Sequence, residues 1–230
     1  MTQRDTFISN LFEQAKTDKD IILISVDMGA PSLDAWREEL PEQFIAAGIS
    51  EQNAINVAAG LSSAGKKVYV YFMASWVGRC WEQIRYSCAM GENPITILGC
   101  GVALGYAPAG PAHEPTEDIA YMRSINNIEI HSPANNHMTK ALVDLTFRGI
   151  SPSNIETGIS LVKPGLKEYN RGDKKVAILT NGYMLGRAHE SWLKLIGEYV
   201  EVSLYDVWKL KPLNQKQLQL SLKNYEYIVT

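Results

Sequence analysis

Short apolar runs alternate along the chain with longer stretches whose apolar residues recur at helical spacing. Ile21–Val26, Lys67–Phe72, Ile95–Gly99, Ile128–His131 and Gly158–Val162 are rich in Ile and Val and mostly do not alternate in polarity. That pattern predicts strands covered on both faces. Between the runs, Phe7, Leu11 and Ala15 recur at four-residue spacing. Ala54, Val57, Ala58 and Leu61 outline a second helix, and Trp81, Ile84, Arg85 and Cys88 a third. Thr116–Ile125 and Asn135–Phe147 read as two more. Strand–helix alternation of this kind predicts an α/β fold on a doubly wound parallel sheet. Lys163–Asp173, with Pro164, Gly165 and Gly172, reads as a linker. A second β/α unit follows, with strands at Val176–Thr180, Val200–Tyr205 and Tyr225–Val229 and a helix at Gly186–Ile196.

Composition narrows the classes. Of 230 residues, 46% are hydrophobic and 20% charged, which is ordinary globular usage and excludes disorder as the main state. Twenty-two basic side chains against 25 acidic ones leave a net charge of −3, so no basic field exists to hold a nucleic-acid backbone. No apolar run is long enough to span a membrane as a helix. The opening Met1-Thr2-Gln3-Arg4-Asp5 lacks a signal-peptide core. Cys80, Cys88 and Cys100 are an odd count without C-x-x-C spacing, so neither a disulfide framework nor a zinc site is expected. The expected compartment is the cytoplasm.

Three segments carry candidate chemistry. In Ala47-Gly48-Ile49-Ser50-Glu51, a strand at Phe44–Ala47 ends at Gly48, Ser50 is placed to cap the next helix, and Glu51 falls in its first turn. Acids favour that position through the helix dipole alone, but the carboxyl end of a parallel strand is also where open α/β sheets bind ligands. In Trp76–Arg85, two Trp, two Arg, a Glu and a Gln crowd a helix start. An amphipathic helix with surface ion pairs accounts for most of this, but Trp76 precedes the helix, where an exposed aromatic needs something to stack on. The third segment, Gly99–Pro115, is long and glycine-rich, and loops of that length are commonly functional. Its glycine spacing misses G-x-G-x-x-G, and no P-loop lysine follows. His113, close to Pro111 and Pro115, is either a turn residue or a fixed acid–base group. His131 and His137 read as strand-end and helix residues.

Taken in order, these segments resemble one family. Gly48-Ile49-Ser50-Glu51-Gln52-Asn53 is similar to the G-[IV]-x-E-x-x motif of thiamine-diphosphate enzymes of the transketolase type. Gly78-Arg79-Cys80-Trp81-Glu82-Gln83-Ile84-Arg85 resembles the G-R-A-[FW]-E-Q-I-R run of split transketolases, and Gly110–Ile125 their G-P-T-H-x-x-x-E-D-[IL]-A-x-[ML]-R-x-[IL] motif. Ser132-Pro133-Ala134-Asn135 follows as their P-A-D turn would. The resemblance implies a pyrimidine-binding domain at 1–165, a linker at 166–174, and a transketolase C-terminal-like α/β domain at 175–230. That second domain is expected to be incomplete, because relatives continue beyond the strand resembling Tyr225–Thr230. Glu51 matches the glutamate that engages the cofactor's aminopyrimidine ring and favours its imino form. An aromatic should stack on that ring, with Trp76 the first choice and Phe72 the second. Arg79 would contact cofactor or substrate, and His113 matches the substrate-side histidine. The implied reaction is transfer of a two-carbon ketol unit from a ketose or ketoacid donor to an aldehyde acceptor.

Departures sharpen the expectation. The acid that reads a sugar hydroxyl in relatives is Ala109 here, the upstream histidine falls at Gly101 or Cys100, and no arginine for substrate phosphate lies near Ser160–Lys163 unless Lys163 replaces it. A modified, deoxy or otherwise unusual donor is therefore expected. The family's Gly-Asp-Gly for diphosphate and divalent metal (Mg) is absent from the chain. The implied partner is a subunit carrying that domain, in an α2β2 assembly with sites at the interface. The alternatives are a non-catalytic scaffold subunit, a simple nucleotide binder, a deoxyxylulose-phosphate-synthase-like enzyme, and the β chain of a ketoacid dehydrogenase.

Overall fold

Apolar strand β1 (Ile21–Ser25) is buried at all five positions and forms the middle of a four-stranded sheet in the computed structural model, which describes residues 1–147, 167–169 and 175–230. Its neighbours are β2 (Phe44–Ala46) and β3 (Lys67–Met73), and β4 (Ile95–Cys100) completes the order β2-β1-β3-β4. Every pairing in this sheet is parallel. Strand parity sorts the side chains. Ile22, Ile24, Val68, Val70 and Phe72 join one core cluster with Ala54, Ile55 and Ala58 of α3 (Glu51–Ser63). Tyr69 points to the other face and meets Phe7 of α1 (Gln3–Ala15), with ring centroids 6.2 Å apart. Helices on both faces make the sheet doubly wound. Each fully buried side chain of this kind stabilises the fold by about 1.5–3 kcal/mol.

Local chemistry fixes the element ends. Thr2 caps α1, its hydroxyl accepting from the Asp5 N–H at 3.2 Å. Gln43, 3% exposed, donates from Nε2 to the carbonyls of Ala15, Asp18 and Ile21 at 3.1, 2.9 and 3.0 Å. One amide thus ties the end of α1 to the start of β1. The short α2 (Asp34–Glu39) between β1 and β2 carries the buried Trp36, and no helix was expected there. The expected helix across Trp81–Cys88 is α-helical only over Trp81–Gln83 (α4) and continues as a π-helix over Ile84–Met90. The Thr116–Ile125 helix shortens to α5 (Asp118–Arg123).

The described residues form two compact units, Met1–Ile128 and Glu129–Thr230. In the second, the strand expected at Ile128–His131 is only β5 (Ile130–His131), followed by α6 (Asn136–Phe147). The expected linker carries a strand instead at β6 (Lys167–Tyr169), and the strand expected at Gly158–Val162 lies outside the described residues. Strands β7 (Val176–Thr180) and β8 (Val202–Asp206) flank α7 (Met184–Gly197) in the chain. They are followed by β9 (Lys209–Lys211), α8 (Gln215–Leu222) and β10 (Tyr227–Val229). The sheet order is β10-β7-β8-β6, parallel except for β6 on β8. Trp192 of α7 packs with Val202 and Leu204 and donates its indole N–H to the Val202 carbonyl at 2.8 Å. β5 pairs antiparallel with β9 as a separate two-stranded sheet.

Candidate active site

At the carboxyl end of β2, Gly48 takes a positive φ of 65°, which a side chain would oppose, and turns the chain into α3. Ser50 precedes the helix but does not cap it. Its hydroxyl donates back to the Ala47 carbonyl at 2.6 Å, so the expected cap is replaced by a bond that closes the turn. Glu51 is the first residue of α3 and is 3% exposed. Burying a carboxylate is costly unless it is paired, and its partner is Arg79. A single nitrogen, Nη1, stands 3.2 Å from Oε2 and 3.4 Å from Oε1. Arg79 comes from the 3-10 segment Ala74–Cys80 that follows β3, and its side chain is 57% exposed.

The same segment presents Trp76, half-buried, whose ring meets that of His113 edge-on, 6.2 Å between centroids. His113 ends the short turn Pro111–His113, entered through Gly110 at φ 81°. Its Nδ1 is buried without a hydrogen-bond partner. The structure therefore places Glu51 with Arg79, and Trp76 with His113, around the carboxyl edge of one sheet. Phe72 stands apart from them, 0% exposed in the core cluster, so its ring offers no free face. Cys80, next to Arg79, is also buried. Burial, reinforced by the nearby Glu51 charge, pushes its thiol up to about 12, which keeps it neutral and unreactive.

Two clefts in this unit were not legible in the sequence. One of about 130 Å³ lies between the Ala74–Val77 and Pro111–Pro115 segments, with Asp118 and Tyr121 on its wall. Burial raises the Asp118 carboxyl above its usual range. The other, about 270 Å³, opens at the carboxyl ends of β1 and β2 between Ser25, Asp27, Arg37, Phe44 and Gly48. Ala109 is exposed, and Cys100 lies 3.8 Å from the Tyr106 hydroxyl. In the other unit, His131 ends β5, bonds Glu129 at 3.1 Å and stacks on Trp208, while His137 lies in α6. Among the described residues, no group of three or more His, Cys, Asp or Glu side chains is placed to hold a metal ion, and no helix is long and apolar enough to cross a membrane.

Residues 1–157 match the family described as "Transketolase, pyrimidine binding domain". The chain is 28% identical over 240 residues to one of the subunits of the apulose-4-phosphate transketolase of Phocaeicola vulgatus, covering 99% of this chain and 77% of that protein. It is 31% identical over 245 residues to the 1-deoxy-D-xylulose-5-phosphate synthase of Buchnera aphidicola, there spanning 40% of the relative's length. Among solved structures, one described as "Split gene transketolase, inactive beta4 tetramer" superposes with a TM-score of 0.81 at 25% identity, over 98% of this chain and 77% of that one. A transketolase of Pichia stipitis shares the fold with a TM-score of 0.78 at 19% identity, over 96% of this chain and 37% of that one.

Proposed function

Because the chain belongs to the transketolase pyrimidine-binding domain family, we propose that it is the pyrimidine-binding subunit of a split, thiamine-diphosphate-dependent enzyme that transfers a two-carbon ketol unit from a ketose or ketoacid donor to an aldehyde acceptor. The observation that carries this is Glu51. It is a carboxyl group buried at the first turn of α3, at the ligand-binding edge of a parallel sheet, and its partner is a half-exposed arginine.

The residues present fit the pyrimidine half of the cofactor. Glu51 offers a carboxyl group to a ring nitrogen and Trp76 an aromatic face, while His113, edge-on to Trp76, is assigned to the substrate side. The chemistry that bound thiamine diphosphate supplies is nucleophilic addition to a ketone carbonyl and storage of the electron pair released when the adjacent carbon–carbon bond breaks. Glu51 holds and returns the proton at the pyrimidine nitrogen, which is acid–base work by a positioned group. Trp76 orients the ring. His113 hydrogen-bonds the oxygens on which charge develops.

The diphosphate and its Mg fall to a partner chain that carries Gly-Asp-Gly, in an α2β2 assembly in which Glu51 reaches across the interface. With Ala109 in place of a hydroxyl-reading acid, the donor is an unusual ketose. The relative named for apulose 4-phosphate supports that choice over xylulose 5-phosphate. Likeness to 1-deoxy-D-xylulose-5-phosphate synthases supports a second reading, with a ketoacid donor such as pyruvate. Co-expression with the Gly-Asp-Gly chain, followed by kinetics on xylulose 5-phosphate, apulose 4-phosphate and pyruvate, separates these readings. Efficient turnover of xylulose 5-phosphate would refute the unusual donor. Tight cofactor binding and turnover by this chain alone would refute the split enzyme.

A further inference from the structure

The pairing of Glu51 with Arg79 is lopsided. Glu51 is fixed by its helix and by burial, and among the described residues Arg79 is the one group that hydrogen-bonds its carboxylate. Arg79 is long, solvent-facing and held by no other ion pair among those residues. Its single nitrogen straddles both oxygens at 3.2 and 3.4 Å, which lacks the two parallel bonds of a strong guanidinium–carboxylate fork. If one side of this pair moves, it is Arg79. As placed, one guanidinium nitrogen lies against both carboxyl oxygens, whereas a carboxyl group that donates to a pyrimidine nitrogen must turn one protonated oxygen to the ring. Arg79 has to give up at least that oxygen.

We propose that Arg79 is a displaceable cover on Glu51. It pairs with the carboxylate and moves off when the cofactor's pyrimidine ring enters, so that Glu51 presents its proton only with the ring in place. This inference rests on the function proposed above and assigns Arg79 a positioning role, not that of a cofactor anchor. Proton balance follows directly. A carboxyl group that donates to the ring nitrogen needs one proton, and that proton comes from solvent as the ring binds. The Cys80 thiol, which the Glu51 charge also reaches, stays neutral throughout because burial holds it so.

The test is calorimetric titration of the assembled enzyme with thiamine diphosphate and Mg in two buffers of different ionisation enthalpy. Wild type should take up about one more proton than Arg79→Met, in which no cation has to leave the carboxyl group. Arg79→Met should bind the cofactor about fivefold more tightly, the equivalent of one half-exposed ion pair no longer broken. Arg79→Lys, which keeps the cation, should restore both values toward wild type. Weaker binding by Arg79→Met with an unchanged proton count would overturn the cover and make Arg79 an anchor. Infrared spectra of the chain alone supply a second measurement that needs no assembly. Arg79→Met should gain a protonated-carboxyl band that disappears when Glu51→Gln is added, and absence of that band also overturns the proposal. Glu51→Gln separates the layers. A fully active Glu51→Gln enzyme sinks the functional reading itself, whereas an inactive one with equal proton counts in wild type and Arg79→Met sinks the cover alone.

Discussion

Replacing Glu51 by Gln should divorce catalysis from structure. The amide has nearly the same size and stays within the same buried turn of α3, so no cavity forms. What is lost is the pairing with Arg79. Because Arg79 is 57% exposed and returns to water, that pairing stabilises the fold by no more than about 1 kcal/mol. Removing a buried charge offsets part of even this, because the carboxylate is 3% exposed and its desolvation cost disappears. Urea unfolding of the isolated chain should therefore shift by less than about 1 kcal/mol, and assembly with the partner should survive. Turnover should not survive. An amide cannot hold and return the proton at the pyrimidine nitrogen, and loss of positioned acid–base catalysis costs about 10²–10⁴-fold in rate, or about 3–5 kcal/mol of barrier. Both quantities are measurable on one preparation, by size-exclusion chromatography of the complex and by steady-state turnover with saturating cofactor. An unchanged rate would refute the assigned role. A loss of rate that tracks a loss of assembly would show that Glu51 is structural.

Other consequences follow from named contacts. Gln43→Ala strips the Ala15, Asp18 and Ile21 carbonyls of their shared donor, two of the three bonds being buried, and should destabilise the chain by about 1–3 kcal/mol in urea titration. Activity of the assembled enzyme should be retained below the transition. Phe72→Ala should cost about 3–5 kcal/mol of stability through the cavity it opens, while Trp76→Ala should leave most stability intact and weaken cofactor binding, as thermal melts with and without thiamine diphosphate would reveal. The Arg4 guanidinium, aided by the Thr2 and Ser32 hydroxyls, holds the Asp5 carboxyl down to about 2. A carboxylate depressed in the folded state stabilises above its unfolded value and loses that contribution as pH falls toward the folded one. Asp5→Asn should thus be less stable than wild type at neutral pH, with the gap closing as acid titrations approach pH 2.

Most of the first unit was legible because its signals are local. A five-residue run such as Ile21–Ser25, buried at every position, needs a covered parallel sheet whatever surrounds it. Strand parity already sets Phe72 on the face of Val68 and Val70, and places Trp76 beyond the strand end. What escaped the sequence depends on partners distant in the chain. β9 carries Lys209, Leu210 and Lys211, without a strand-like apolar run, and exists because it pairs with β5 some 80 residues earlier. Lys209 is buried there because its ammonium meets Glu129 at 2.9 Å. The strand inside the expected linker, β6, likewise forms on the edge of β8.

The candidate site divides the same way. That Glu51 opens a helix behind a glycine turn, that Trp76 lies in a strand–helix turn, and that His113 lies in the long loop after a strand followed from spacing, whereas Arg79, expected at a helix start, lies in the 3-10 segment before it. Ser50 as a cap did not follow through, since its hydroxyl found a nearer acceptor at Ala47. That Arg79, 28 residues on, closes over the carboxylate, and that the rings of Trp76 and His113 meet edge-on, were decided by tertiary structure alone. The physical reason is one of range. Hydrophobic periodicity and turn chemistry act over a few residues and can be read along a chain, whereas the partner of a buried charge is chosen by which distant loops the sheet brings to one edge.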